Sequence, residues 1–366
     1  MKTLTAKVSP ETLSENDKHD TTTETAGHHI PIWRSGICLL LGIFLSAALW
    51  GCGSHTATIV VNNKVDPALL SWLCGIISAF CLLLCFGKLH GGGMQSISFQ
   101  KLGPHSLTPL FAIKRILPLC TLSLLTLFLY FLGLYRLKTS EVAALYSCNK
   151  ALGYLLSWTV LREQFMGARV IAIIACMAGV VMMSYTESIE TEAVIGRILA
   201  LSAAIIAAVN QVLFQLLLGR LSWQETVIFL GLNGVCNTLL LWWIPFTAYF
   251  QGAAEKIEND FISSLTYLCV TAVLFFLFQF LEKVGGHFIP QSGISFGIFL
   301  SVFVIIGLDQ PWVLPSGGYL LGISAIGVGF LLLFIPENWK ELLGLESTEL
   351  GHLDDESEEI QGKSIA

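Results

Sequence analysis

Ten apolar segments in succession constrain this chain more than any other feature. They lie at about 34–58, 68–87, 113–136, 140–161, 168–186, 195–219, 225–250, 262–284, 290–309 and 313–335. Most approach the ~20 residues that a helix needs to cross the hydrocarbon core of a bilayer. Charged residues are 13% of the chain, against roughly 25% in soluble domains. The expected fold class is therefore an all-α integral membrane protein with ten transmembrane helices. Pro118 falls inside segment three and Pro290 opens segment nine; proline is tolerated at or near the ends of such helices.

Charge is segregated to the ends. Of the net −6, residues 1–33 carry −2 and residues 337–366 carry −7, which leaves +3 between them. Residues 1–33 read as a polar, disordered tail, and 336–366 as an acidic, disordered one. Acidity confined to solvated tails gives no ground for a nucleic-acid partner. The first apolar run follows about thirty polar residues, so it reads as an anchor and not as a cleavable leader. The ten cysteines lie in or beside apolar segments, without CxxC pairs or histidines at ligand spacing. They read as small hydrophobes, with no zinc site, disulfide framework or cofactor expected. Walker, GxSxG and HExxH signatures are absent from the sequence, as are paired intramembrane aspartates, so an enzyme is not expected.

Lysine and arginine follow the positive-inside bias. With the N-terminus cytosolic, fourteen basic residues fall on the cytosolic side, Lys283 among them, and five fall opposite. Both termini are then cytosolic, which requires an even number of spans. The sequence also echoes itself at an offset of about 147 to 149 residues. Phe131-Leu132-Gly133 through Ser140-Glu141-Val142 has the layout of Phe280-Leu281-Glu282 through Gln291-Ser292-Gly293, and Ala178-Gly179-Val180 that of Ile326-Gly327-Val328. Five spans per half make the second copy inverted, the arrangement of transporters that bind a solute at the midplane. The expected halves are 34–186 and 195–335.

Polar residues inside the spans point to a site. An ammonium at the centre of a span costs about 3 kcal/mol on insertion scales, and Lys150 sits within segment four. Tyr146, Asn149, Lys150, Gly153 and Tyr154 fall at i, i+3, i+4, i+7 and i+8, on one helix face. That face reads as solute-lining; the competing reading is structural, with Lys150 paired to a carboxylate such as Glu282. Asn210, Gln211 and Phe214 form a second polar and aromatic group, on segment six, opposite segment four in an inverted repeat. Asn233 and Asn237 read as helix-to-helix amides, since such bonds are common inside membranes. Gly293 and Gly297, and the glycines of segment ten, read as close-packing positions. Trp50, Trp72, Trp242 and Trp243 read as interface aromatics.

The stretches Thr139-Ser140-Glu141-Val142-Ala143-Ala144-Leu145, Leu155-Leu156-Ser157-Trp158-Thr159-Val160-Leu161-Arg162-Glu163 and Ala178-Gly179-Val180-Val181-Met182-Met183 resemble the drug/metabolite transporter superfamily. Val212-Leu213-Phe214-Gln215-Leu216-Leu217-Leu218-Gly219 and Gly329-Phe330-Leu331-Leu332-Leu333-Phe334-Ile335-Pro336-Glu337 narrow the resemblance to solute carrier family 35, subgroup F, in its thiamine-transporter branch. The resemblance implies ten helices in two inverted five-helix repeats, alternating access, and thiamine or a thiamine-like compound as the solute. Two positions depart from the pattern: Lys150 stands where a small polar residue is expected, and Gln215 where lysine is expected. An unpaired ammonium would repel a thiazolium and suit a phosphorylated anion, so a nucleotide-sugar or phosphorylated-anion exchanger stays open. A non-transporting receptor or scaffold is the alternative of another class. The expected partners are a small-molecule solute and the lipid bilayer, with a homodimer left open; the membrane is the plasma membrane or that of the Golgi and endomembrane system.

Overall fold

The structure, a computed structural model, describes residues 32–63, 65–90, 109–161, 167–186, 191–219, 221–244, 247, 261–287, 291–309 and 317–333. The two tails, apart from Ile32 and Trp33, lie outside the described residues. Met1–Ile37 forms one compact unit, described only at its last six residues, and Cys38–Ala366 forms the other. The second unit holds every helix but the first turns of the first one.

Each apolar segment carries a helix, and the fourth carries two. In chain order they are α1 (Ile32–Asn62), α2 (Pro67–His90), α3 (Pro109–Leu134), α4 (Thr139–Ser147), α5 (Asn149–Leu161), α6 (Gly167–Thr186), α7 (Thr191–Leu218), α8 (Trp223–Leu240), α9 (Phe261–Lys283), α10 (Gln291–Leu308) and α11 (Gly317–Leu333). No strand occurs among the described residues. Helices satisfy their backbone groups internally, which an apolar medium demands. Long apolar stretches capable of crossing a membrane lie in α1, α3, α7 and α9, and shorter ones in α2, α6, α10 and α11.

Local chemistry sets several boundaries. Gly219, at φ 62°, closes α7 in the left-handed conformation that glycine adopts without strain. Ser222 and Glu225 then open α8 with a reciprocal capping box. Segment seven is expected to run to about 250; α8 ends at Leu240 and turns follow to Trp243, with Trp242 and Trp243 exposed, while residues 245, 246 and 248–250 lie outside the described residues. Segment four is expected as one helix and breaks at Cys148. The Ser147 hydroxyl donates to the Ala144 carbonyl at 2.7 Å, and the Cys148 thiol points at the same oxygen. The Cys148 N–H donates to the Leu145 carbonyl, three residues back, a tighter turn than an α-helix makes.

Glycines bring helices into backbone contact. A Cβ on Gly179 of α6 would lie 2.6 Å from the Gly322 carbonyl of α11. One on Gly234 of α8 would meet the α2 backbone, at 2.6 Å from the Ser78 carbonyl carbon and 2.7 Å from the Gly75 oxygen. Gly297 of α10 packs on Ser46 of α1, and Gly293 on Leu39. The expected packing role of Gly293 and Gly297 thus has an identified partner helix. Trp50, Tyr130, Phe131, Phe275 and Phe278 form the aromatic centre of the core. Where α3 turns into α4, that core is capped by polar contacts. Glu141 accepts from the Arg197 guanidinium at 2.7 Å, Arg136 pairs with Glu192, and the Thr58 and Thr139 hydroxyls bond at 2.7 Å.

Candidate functional site

Below this aromatic centre lies a polar cavity walled by α1, α3, α4, α5, α7, α8 and α9, with about 80 Å³ open to the centre of a water molecule. Six of the seven expected site residues line it: Tyr146, Asn149, Lys150, Asn210, Gln211 and Phe214. The break at Cys148 places Asn149 and Lys150 in the first turn of α5. Gly153, one turn on, faces the Gln211 side chain of α7; a Cβ there would lie 3.5 Å from Gln211 Oε1, an ordinary contact.

The ammonium of Lys150 donates to Glu282 Oε1 at 2.6 Å and to Gln211 Oε1 at 3.2 Å. Lys150 is 4% exposed and Glu282 18%. The two readings of Lys150 therefore coincide: it is paired with the expected carboxylate, and the pair itself lines the cavity. Lys283, next to Glu282, holds its ammonium 5.0 Å from the centre of the Phe214 ring, a cation–π distance. The charged lining is thus two ammonium groups and one carboxylate.

One wall is aromatic. Trp50 stacks on Tyr146 with ring centres 4.9 Å apart and planes 11° apart. It also meets Phe278 at 4.6 Å. Trp50 is 2% exposed, which corrects its reading as an interface aromatic: it lies well inside the 31-residue α1. Tyr154 does not reach the cavity. Its ring sits under the Arg169 guanidinium at 5.5 Å, one turn further along α5 than Lys150, past the end of the cavity lining.

Sequence pattern leaves Trp50, Asn233, Phe278, Gln279 and Lys283 out of the lining, and offers Glu282 only as a partner. Asn233, expected as a helix-to-helix amide, does both jobs. Its Nδ2 donates to Ser123 Oγ of α3 at 3.4 Å, and it lines the cavity beside that serine. The available signal was the Glu282-Lys283 pair at the end of an apolar segment, where counting charges by loop assigns the lysine to solvent. Among the described residues, no cluster of three or more metal-ligating side chains occurs.

Fold and cavity define a multi-pass membrane protein built around a polar chamber. The solute carrier family 35 model matches residues 120–308, and the EamA-like transporter family model matches 35–185. The chain is 36% identical to human solute carrier family 35 member F3 over 239 residues, which are 65% of this chain and 56% of that protein. It is 35% identical to mouse member F3, over 81% of this chain and 73% of that protein. It is 34% identical to human member F4, over 84% of this chain and 61% of that protein. It thus spans little more than half the length of the human F3 relative. The chain belongs to solute carrier family 35, subgroup F, in the drug/metabolite transporter superfamily.

Proposed function

We propose that this chain is a secondary transporter that moves a small organic solute, thiamine or a thiamine-like compound, by alternating access. The halves 34–186 and 195–335 rock as inverted five-helix repeats about the cavity, with both termini cytosolic. The observation that carries this reading is the Lys150–Glu282 pair, 2.6 Å long, lining a chamber walled by helices from both halves. Intramembrane charges are costly and mark solute pathways. Pairing removes the objection that Lys150 by itself raises to a cationic solute, because Glu282 neutralises it. The aromatic wall of Trp50, Tyr146 and Phe278 suits a flat, cationic ring.

A second reading is favoured by Lys283. Its ammonium gives the lining a surplus positive charge, which suits a phosphorylated anion such as a nucleotide sugar. Thermal stabilisation of the purified protein separates the two, since a ligand that binds only the folded state raises its melting temperature. A shift with thiamine, and none with thiamine pyrophosphate or nucleotide sugars, is the expected result. A shift with phosphorylated ligands alone makes Lys150 and Lys283 anion-binding residues and removes the thiamine reading.

A further inference from the structure

The end of the molecule where α3 turns into α4 is held shut by charge. Arg197 of α7 donates to Glu141 of α4 at 2.7 Å, with the two side chains 10% and 2% exposed. Arg136, just past α3, pairs with Glu192 in the first turn of α7. His55 of α1 lies 3.3 Å from Asp309, just past α10. Thr58, one turn from His55, bonds Thr139 of α4, so this third pair lies at the same end as the other two. Each pair joins the α1–α6 part of the chain to the α7–α11 part. A shielded ion pair is thus flanked by two that water reaches.

The cavity is remote from these pairs. Along α7, Arg197 and Asn210 are about 20 Å apart at the rise of an α-helix. At the far end of the cavity α3 meets α7 through Leu119 and Leu218, and the Arg115 guanidinium donates to the Leu217 carbonyl at 3.4 Å. Between cavity and charged pairs the interior is not purely apolar. Trp50, Ser54 and Thr58 fall at i, i+4 and i+8 on α1, one face of that helix. Trp50 lines the cavity, the Ser54 hydroxyl shares a 2.6 Å hydrogen bond with the Tyr130 hydroxyl, and Thr58 shares one of 2.7 Å with Thr139. Ser54 and Tyr130 are buried. A file of bonded hydroxyls therefore leads from the cavity to the charged end.

A seal that only has to stay shut gains little from ions, since packed apolar groups in place of a buried ion pair are often as stable or more so. Ions and hydroxyls differ from apolar groups in being satisfied in two states. Shut, they bond each other; open, they bond water. An apolar seam that opens exposes its surface to water with no such compensation.

We propose that this end is a gate, shut in the present structure. The Glu141–Arg197 pair is its latch, and the path to water runs from the cavity past Ser54–Tyr130 and Thr58–Thr139. The inference rests on the transporter reading, and adds to it which end is sealed and by which residues. In alternating access the opening of one end is tied to the closing of the other. Breaking the latch should therefore tighten the far end, around Arg115, Leu119 and Leu218.

The test is hydrogen–deuterium exchange, read by mass spectrometry on the full chain in lipid nanodiscs, and it needs no solute. Glu141→Gln/Arg197→Gln removes both charges and leaves neither buried alone. In it, exchange over 136–142 and 191–198 should rise about 10-fold, and exchange over 115–122 and 213–218 should fall. A pair that is only a strut gives no such fall: exchange rises at the latch end alone, or everywhere. Arg136→Gln/Asp309→Asn breaks the two exposed pairs, puts folding at little risk, and should give the same reciprocal pattern at about 2-fold.

The first variant decides if it folds, and the second if it does not. A rise without protection at the far end, or no change at either end, overturns the inference. Reciprocal exchange in a protein whose melting temperature thiamine does not shift keeps the gate and removes the thiamine reading. A thiamine shift without reciprocal exchange does the reverse.

Discussion

Lys150 Nζ lies 2.6 Å from Glu282 Oε1, so the first turn of α5 is tied to the last turn of α9 across 132 residues of sequence. Both partners are largely shielded, and each is costly to leave alone. Removing one member of a buried pair costs about 3 kcal/mol or more, because the other charge stays behind. Lys150→Met is therefore expected to lower stability by about that amount. The double variant Lys150→Met/Glu282→Gln should recover most of the loss. Melting curves of the three variants in detergent check this; a double variant no more stable than Lys150→Met would show that the pair is not what holds the two helices.

Trp50 fills the space between Tyr146, Tyr130 and Phe278. Truncating a large buried aromatic costs about 3–5 kcal/mol. Trp50→Ala should lose that stability and abolish solute-dependent melting shifts. Trp50→Phe keeps a ring against Tyr146 and should retain folding with weakened binding. Equal binding by Trp50→Phe and the parent would remove the indole from the site.

Gly234 is where α8 touches the backbone of α2. A methyl group has no room there, and overpacking typically costs about 1–3 kcal/mol. Gly234→Ala is expected to reach the upper end of that range, since the obstructing atoms are backbone and cannot rotate away. Gly219→Ala tests a different mechanism: nothing crowds that position, but its φ of 62° strains any residue with a Cβ. Its cost should be smaller, about 1 kcal/mol. The order of the two melting temperatures is the check.

Tyr154 faces Arg169 and not the cavity. Tyr154→Leu should therefore leave the affinity of any solute within about twofold, the scatter expected away from a site. The same substitution at Tyr146 should not be silent. A large loss of affinity in Tyr154→Leu would restore Tyr154 to the site.

Much of the site was legible because membranes make polar residues conspicuous. Lys150, Asn149, Asn210 and Gln211 stand out in apolar segments, and helical spacing was enough to group them on two faces. Asn233 was equally visible, but an amide that bonds a neighbouring helix and one that lines a cavity look alike in sequence. Lys283 was misplaced for a related reason. A lysine at the end of a span reads as a loop residue until the position of Phe214, on another helix, is known.

Hydropathy and segment length alone determined the helical class, since an apolar medium leaves a chain of this composition few other ways to satisfy its backbone. They could not determine the break at Cys148, where one N–H bonds three residues back and not four. Nor could they place Trp50 against Tyr146 or decide that Lys150 meets Glu282. Those contacts join helices far apart in sequence, and which faces meet is set by where glycines such as Gly179 and Gly234 allow backbones to close. Periodicity fixes the faces of each helix; only packing decides which face each one is given as a neighbour.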